Sequence, residues 1–256
     1  MTSLFRKAAA CCSGLLCAAA WAAPFWTSPA LAQSAPLLTF EAETDRRERG
    51  LSWTDGKSTL GMSLAVPVTY DLSIDFDAFA LRNSARHGGA DAAVTIAPRY
   101  TIRSGGWDLD ASVRGHVFVG RAGTSYVEVA GRVARTLGPV QVAAGAAFAP
   151  GQDAIGGSNL YVDGDVAAGI PGTPVTVYAG LGHTSGSGQD DPRAARLRPG
   201  GDYLDHHVGA EYAAARFAAG LRYSDTSIDR DEIDRASPWV DGHYGRRLVA
   251  YFRFTP

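Results

Sequence analysis

The 256 residues carry 24 basic and 26 acidic side chains, a net charge of −2, and are 46% hydrophobic. A chain so balanced, with no basic patch or stripe, is not a nucleic-acid binder by composition. Its three cysteines, Cys11, Cys12 and Cys17, all lie near the N-terminus, so the rest has no thiol, disulfide or cysteine metal site.

Arg6 and Lys7 precede an apolar run over 8–23, and Ala30-Leu31-Ala32 offers a small-x-small cleavage site before Gln33. That layout reads residues 1–32 as a cleavable secretory signal peptide. Leu16 stands where lipid attachment at Cys17 would need a small residue, so no lipoprotein is expected. Residues 33–256 then form one domain with 22 basic and 26 acidic residues, a net charge of −4, and Lys57 as its single lysine. No later stretch approaches the apolar length of a spanning helix. That test misses membrane barrels, whose strands are only half apolar.

The chain alternates almost from its start. Leu38, Phe40 and Ala42 oppose Glu41 and Glu43, and a charged loop follows over 45–57. Leu60, Met62, Leu64, Val66 and Val68 make a second strand. In the third, Tyr70, Leu72, Ile74, Phe76, Ala78 and Ala80 share one parity while Asp71, Ser73, Asp75 and Asp77 share the other. Side chains alternate faces along a strand, so one face is oily and the other carries carboxylates that must meet water or cations. The same rule sets Ala92, Val94 and Ile96 against Asp91, Thr95 and Arg99. It sets Leu109, Val113 and Val117 against Asp108, Asp110, Arg114 and His116, and Val127, Val129 and Val133 against Glu128 and Arg132. Strands near 140–148, 160–168, 175–181, 204–212, 217–223 and 248–254 complete the series, with Asp163 and Asp165 opposite Val162 and Val166. The pattern predicts twelve strands and no helix.

Every second connection, beginning after the second strand, is a tight turn such as Arg103-Ser104-Gly105-Gly106 or Leu137-Gly138-Pro139. The others include all the charged loops, 182–202 and 224–242 among them. Outer-membrane barrels sort their loops this way, with short periplasmic turns and longer extracellular loops. A Greek-key sandwich has no reason to. The fold expected is therefore all-β, a single antiparallel up-and-down transmembrane β-barrel. A soluble periplasmic β-sandwich with the oily faces inward is the alternative. Tyr70, Tyr100, Trp107, Phe148, Tyr161, Tyr178, Tyr203, Tyr223 and Tyr244 lie near strand ends, where interfacial girdles belong.

The chain resembles the proteobacterial TorF family of porins. The likeness is clearest at Arg49-Gly50-Leu51-Ser52-Trp53-Thr54-Asp55-Gly56, where the family has an Arg-Gly-Ile-Ser-like signature. It continues at Ser125-Tyr126-Val127-Glu128-Val129, Leu137-Gly138-Pro139-Val140, Asn159-Leu160-Tyr161-Val162 and Tyr203-Leu204-Asp205. Leu51 replaces the usual isoleucine, and the loops after Gly182 and Ser224 are longer than typical. The resemblance implies an outer-membrane barrel with a transport role and supplies no catalytic residues.

Chemistry-bearing clusters are few. His206 and His207 are adjacent, so they point to opposite faces and cannot share a metal. Ser112 and His116 share a face but stand four residues apart, roughly 13 Å, too far for a nucleophile and its base. No enzyme, metal or cofactor is expected. The face opposite the lipid carries Asp71, Asp75, Asp77, Asp91, Asp108, Asp110, Glu128, Asp163 and Asp165, with Arg99, Arg114, Arg132, Arg222, Arg247 and Arg253. Lining a wet lumen, these would filter solutes by sign and size, with a slight cation preference from the acidic excess. Paired across the interior, they would plug it. The expected function is passive diffusion of small polar or charged solutes through a porin-like channel, with outer-membrane lipid as its surroundings. A closed barrel acting through its long loops is the other reading.

Overall fold

The computed structural model describes residues 35–188, 190–229, 231, 233 and 237–256, so the signal peptide expected at 1–32 lies outside the described residues. Alternation becomes strand wherever it was read. The strands are β1 (Leu37–Glu43), β2 (Thr59–Pro67), β3 (Leu72–Ala80) and β4 (Ala92–Ser104). They continue as β5 (Trp107–Val119), β6 (Tyr126–Leu137), β7 (Val140–Gln152) and β8 (Gly157–Gly169). The last are β9 (Val175–Gly186), β10 (Tyr203–Ala214), β11 (Phe217–Thr226) and β12 (Arg247–Phe254). Each pairs antiparallel with the next, and β1 closes on β12 with Phe40 opposite Phe254 and Glu43 opposite Tyr251.

Closure rules out the sandwich. Leu72, Ile74 and Phe76 point outward and are half-exposed, whereas Asp75 and Asp77 point into the lumen at 1% and 7% exposure. A belt of exposed apolar side chains runs around the outside, including Leu60, Val113, Leu181, Val208 and Leu248. Water-soluble monomers rarely expose so large a contiguous apolar surface.

The turns at one end are built for a tight reversal. Gly105 and Gly106 both have positive φ (58° and 80°), as a two-residue hairpin turn with the right twist requires. At the other end the strands run further than their hydrophobic pattern, so the loop expected over 150–157 shrinks to the 3₁₀ turn Asp153–Ile155. Two more 3₁₀ turns, Ala85–His87 and Pro192–Arg196, lie in loops at the same end. They are the only helices among the described residues.

The girdle expectation needs correction. Tyr70, Tyr100, Trp107 and Phe148 face outward and are exposed. Tyr161, Tyr178 and Tyr203 share the parity of the lumen carboxylates and point inward, and Tyr244 is buried in a loop. Tyr161, Tyr178 and the likewise inward Tyr251 lie over glycines of the neighbouring strand. A Cβ at Gly182 would land on the Tyr161 hydroxyl, at Gly209 on the Tyr178 ring, and at Gly220 on the Tyr251 ring. The missing side chains let these rings lie against the wall along β9–β11 instead of standing into the lumen.

Candidate functional site

The first long loop does not stand in solvent. Residues 44–58 turn into the barrel as a small hairpin, Arg47–Glu48 paired with Leu51–Ser52, whose turn residues Arg49 and Gly50 have φ of 51° and 74°. Arginine in the left-handed region costs about 1–2 kcal/mol, so other contacts must hold it there. Asp45, fully buried, supplies the base: its Oδ1 accepts from Ser52 Oγ at 2.6 Å and Thr54 Oγ1 at 3.2 Å, and its Oδ2 pairs with Arg47.

The tip reaches the far wall. Arg49 Nη2 donates to Glu128 Oε2 of β6 at 2.6 Å, and its guanidinium lies 4.9 Å above the Tyr161 ring of β8. Tyr203 of β10 donates its hydroxyl to the Arg49 carbonyl at 2.9 Å. Gly50 is pressed so close to Thr226 and Asp205 that a Cβ would overlap both. Burial opposes the charge of Arg49, but the facing Glu128 carboxylate outweighs it and holds the guanidinium pKa above its ordinary value. Nearer the root, Arg46 joins Glu43 at 2.8 Å, Glu41 at 3.1 Å and Asp77 at 3.6 Å.

Below the hairpin lies a cavity of about 140 Å³. Of the residues expected on the lumen face, Asp77, Arg114, Glu128, Arg132, Asp163, Asp165 and Arg222 line it. Arg132 pairs with both Asp163 and Asp165, and Arg114 reaches Glu128 at 3.3 Å. Asp75 pairs with Arg99, Arg253 with Glu211, and Asp108 with Arg103 at 3.8 Å, while Asp110 accepts from Thr101. Three expected residues sit apart from this group. Asp71 lies in the turn before β3, Asp91 is exposed before β4, and Arg247 is exposed at the start of β12, donating to the Gly56 carbonyl at 3.1 Å. Asp71 and Asp91 fall just outside their strands, so parity does not aim them into the lumen, and Arg247 is the outermost residue of β12.

Sequence reasoning missed the hairpin residues Arg46, Arg47, Glu48 and Arg49 as lining groups, along with Tyr161; Asp205 and His207, which strand parity puts on the polar face, line the cavity too. The unbroken charge of residues 45–49, directly after an alternating strand, was the available signal for the first four. The parity of Asp163 with Tyr161 was the signal for the tyrosine. With the hairpin counted, arginines and carboxylates on the cavity wall are equal in number, which removes the basis for a cation preference.

Above the hairpin the other loops close over one another. Arg86 Nη1 donates to the Arg196 carbonyl at 2.8 Å, and Arg196 Nε donates back to the Arg86 carbonyl at 3.0 Å. Arg86 also reaches Ser52 of the hairpin and Asp241, and Arg196 reaches the carbonyls of Thr124 and Ala154. Trp53, Phe118, Tyr126, Ile155 and Leu197 form the apolar layer beneath. The outer mouth is thus a packed cap, and the hairpin hangs from its underside.

Several solved structures share this architecture. The NanC porin superposes with a TM-score of 0.56 at 10% identity, covering 86% of this chain and 99% of that one. The KdgM porin gives 0.55 at 5% identity over 86% and 98%. The COG4313 outer membrane channel from Pseudomonas putida F1 gives 0.51 at 12% identity over 90% and 99%. At such identities the likeness is one of fold. No curated protein matches the sequence. A family model does match residues 44–242, and the chain belongs to that family, Gcw_chp, described as a bacterial protein of unknown function.

Proposed function

We propose that residues 33–256 are an outer-membrane porin for passive diffusion of small polar or charged solutes, exported by a cleavable signal at 1–32. The hairpin over 44–58 is its constriction. The observation that carries this reading is the charged chamber of about 140 Å³ beneath the hairpin, at a level where an interior meant only as a plug would be filled. The apolar outer belt suits lipid, and the short turns and long loops suit periplasmic and extracellular ends. The resemblance to TorF family porins is strongest at residues 49–56, on the constricting hairpin itself. The role is transport, not catalysis.

The interlocking of Arg86 with Arg196 over the outer mouth favours a second reading, a closed barrel acting through its outer loops. Planar-bilayer recording of the refolded chain separates the two. Porin function requires discrete conductance steps, enlarged when the loop over 187–202 is shortened. A folded barrel that stays silent in both forms would leave only the closed barrel.

A further inference from the structure

We infer that the chamber beneath the hairpin holds a binding site for a small zwitterion of amino-acid size, with its ammonium on Asp205 and its carboxylate on Arg49. The inference rests on the porin reading for its biological meaning and on separate observations for its chemistry.

Among the charged groups there that are left incomplete, two share one tyrosine. Asp205 is 3% exposed; its Oδ1 accepts from the Tyr161 hydroxyl at 3.3 Å, but its Oδ2 has no hydrogen-bond partner among the described residues. Arg49 spends Nη2 on Glu128, and its Nη1 likewise has no partner among them. Both groups line the cavity, and both converge on one ring: Tyr161 offers its hydroxyl to Asp205 and its face to Arg49. One acceptor and one donor, each on a charged side chain, are therefore held against the same tyrosine side chain.

Leaving such groups unmade in a dry interior is costly, more so when they are charged. A monovalent anion on Arg49 would be repelled by Glu128 and Asp205, and a monovalent cation on Asp205 would be repelled by Arg49. A molecule with both charges a few ångström apart satisfies the two orphans together. A single water also brings one donor and one acceptor, but it needs only about 10–15 Å³. The chamber is about 140 Å³. Gly180 and Gly182, with no side chains, make room beside Asp205 for the His207 and Tyr161 rings.

The test uses the refolded full chain in two settings. In detergent, saturation-transfer NMR measures binding of alanine against lactamide and lactate, which match its size with one or both charges removed. In liposomes, swelling rates are compared for the same three solutes. Alanine should bind, lactamide and lactate should not, and alanine should enter fastest. Asp205→Asn, which keeps the shape and the Tyr161 bond, should weaken alanine binding about tenfold, the worth of one charge-assisted hydrogen bond. If all three solutes enter at one rate and alanine does not bind, water fills the orphan groups and the site is overturned with the porin reading intact. If alanine binds and loses affinity in Asp205→Asn while nothing enters liposomes, the site stands and the porin reading falls.

Discussion

Arg49 and Glu128 meet across the barrel at 2.6 Å, although one sits at the tip of a loop hairpin and the other on the wall strand β6, near its outer end. The pair ties a segment that could stand in solvent to the inside of the tube. Arg49→Ala should release the tip and raise single-channel conductance. Breaking a buried pair costs about 3–5 kcal/mol when the remaining charge is left alone. Glu128 keeps Arg114 at 3.3 Å and His116 at 3.5 Å, so the loss should fall below that range. Arg49→Gly should open the bore equally and be the more stable of the two, because glycine relieves the left-handed φ of 51°. Unchanged conductance in both variants would remove the hairpin from the transport path.

The wall opposite the hairpin depends on what is absent. Gly182 leaves room for Tyr161 to lie flat, and a Cβ there would land on the tyrosine hydroxyl. Gly182→Ala should lift the ring into the chamber, break its bond to Asp205 and reduce conductance, with about 1–3 kcal/mol lost to overpacking. Gly164→Ala is the control, because its added methyl faces outward and meets only the Ala143 carbonyl at 3.9 Å. Loss of conductance in both would point to general destabilisation.

Much of this was legible in the primary structure, for a reason specific to strands. With a side-chain period of two, one correctly placed residue fixes the facing of its whole strand. Asp75, Glu128, Arg132 and Asp163 therefore fell on the lumen side without knowledge of any partner. The hairpin was not legible, because the charged run over 45–49 reads locally as a solvated loop. Its reason for turning inward is a carboxylate 79 residues away, and no local pattern reports that. The cap was hidden in the same way: Arg86 and Arg196 are 110 residues apart and recognise each other's backbone carbonyls, which every residue carries.

Acid should loosen the cap. His87 is fully buried, stacked on Phe118 at 4.6 Å and tilted against Trp53 at 4.5 Å, with Arg196 Nη2 at 3.4 Å and Arg86 on its own turn. Burial first, and then the Arg196 and Arg86 charges, push its pKa well below the usual 6.5. An opened loop would take up a proton near pH 6.5 that the packed cap refuses, so cap stability falls as pH drops below that value. Protection factors, which correct hydrogen exchange for its base-catalysed intrinsic rate, should fall in the loops over 81–91 and 187–202 between about pH 7.5 and pH 5.5 while the strands stay protected. His87→Phe should abolish the difference. Equal protection factors at both pH values in the unaltered chain would show that this histidine does not limit opening.

Arg196 is the residue the cap can least replace. Its guanidinium bonds three carbonyls, those of Arg86, Thr124 and Ala154, which belong to three different outer loops, and it lies 5.0 Å from the Phe118 ring and 5.6 Å from that of Trp239. Burial lowers its pKa to about 10, which leaves it charged at neutral pH. Lysine keeps the charge but lacks the planar fork, so it cannot serve carbonyls on several sides at once. Arg196→Lys should therefore behave much like Arg196→Ala, each leaving buried carbonyls unpaired at about 1–3 kcal/mol apiece. Both variants should expose the outer loops to protease and leave the barrel resistant. If Arg196→Lys kept the loops protected, charge alone would be holding the cap, and the shared carbonyl contacts would not be what joins one loop to the next.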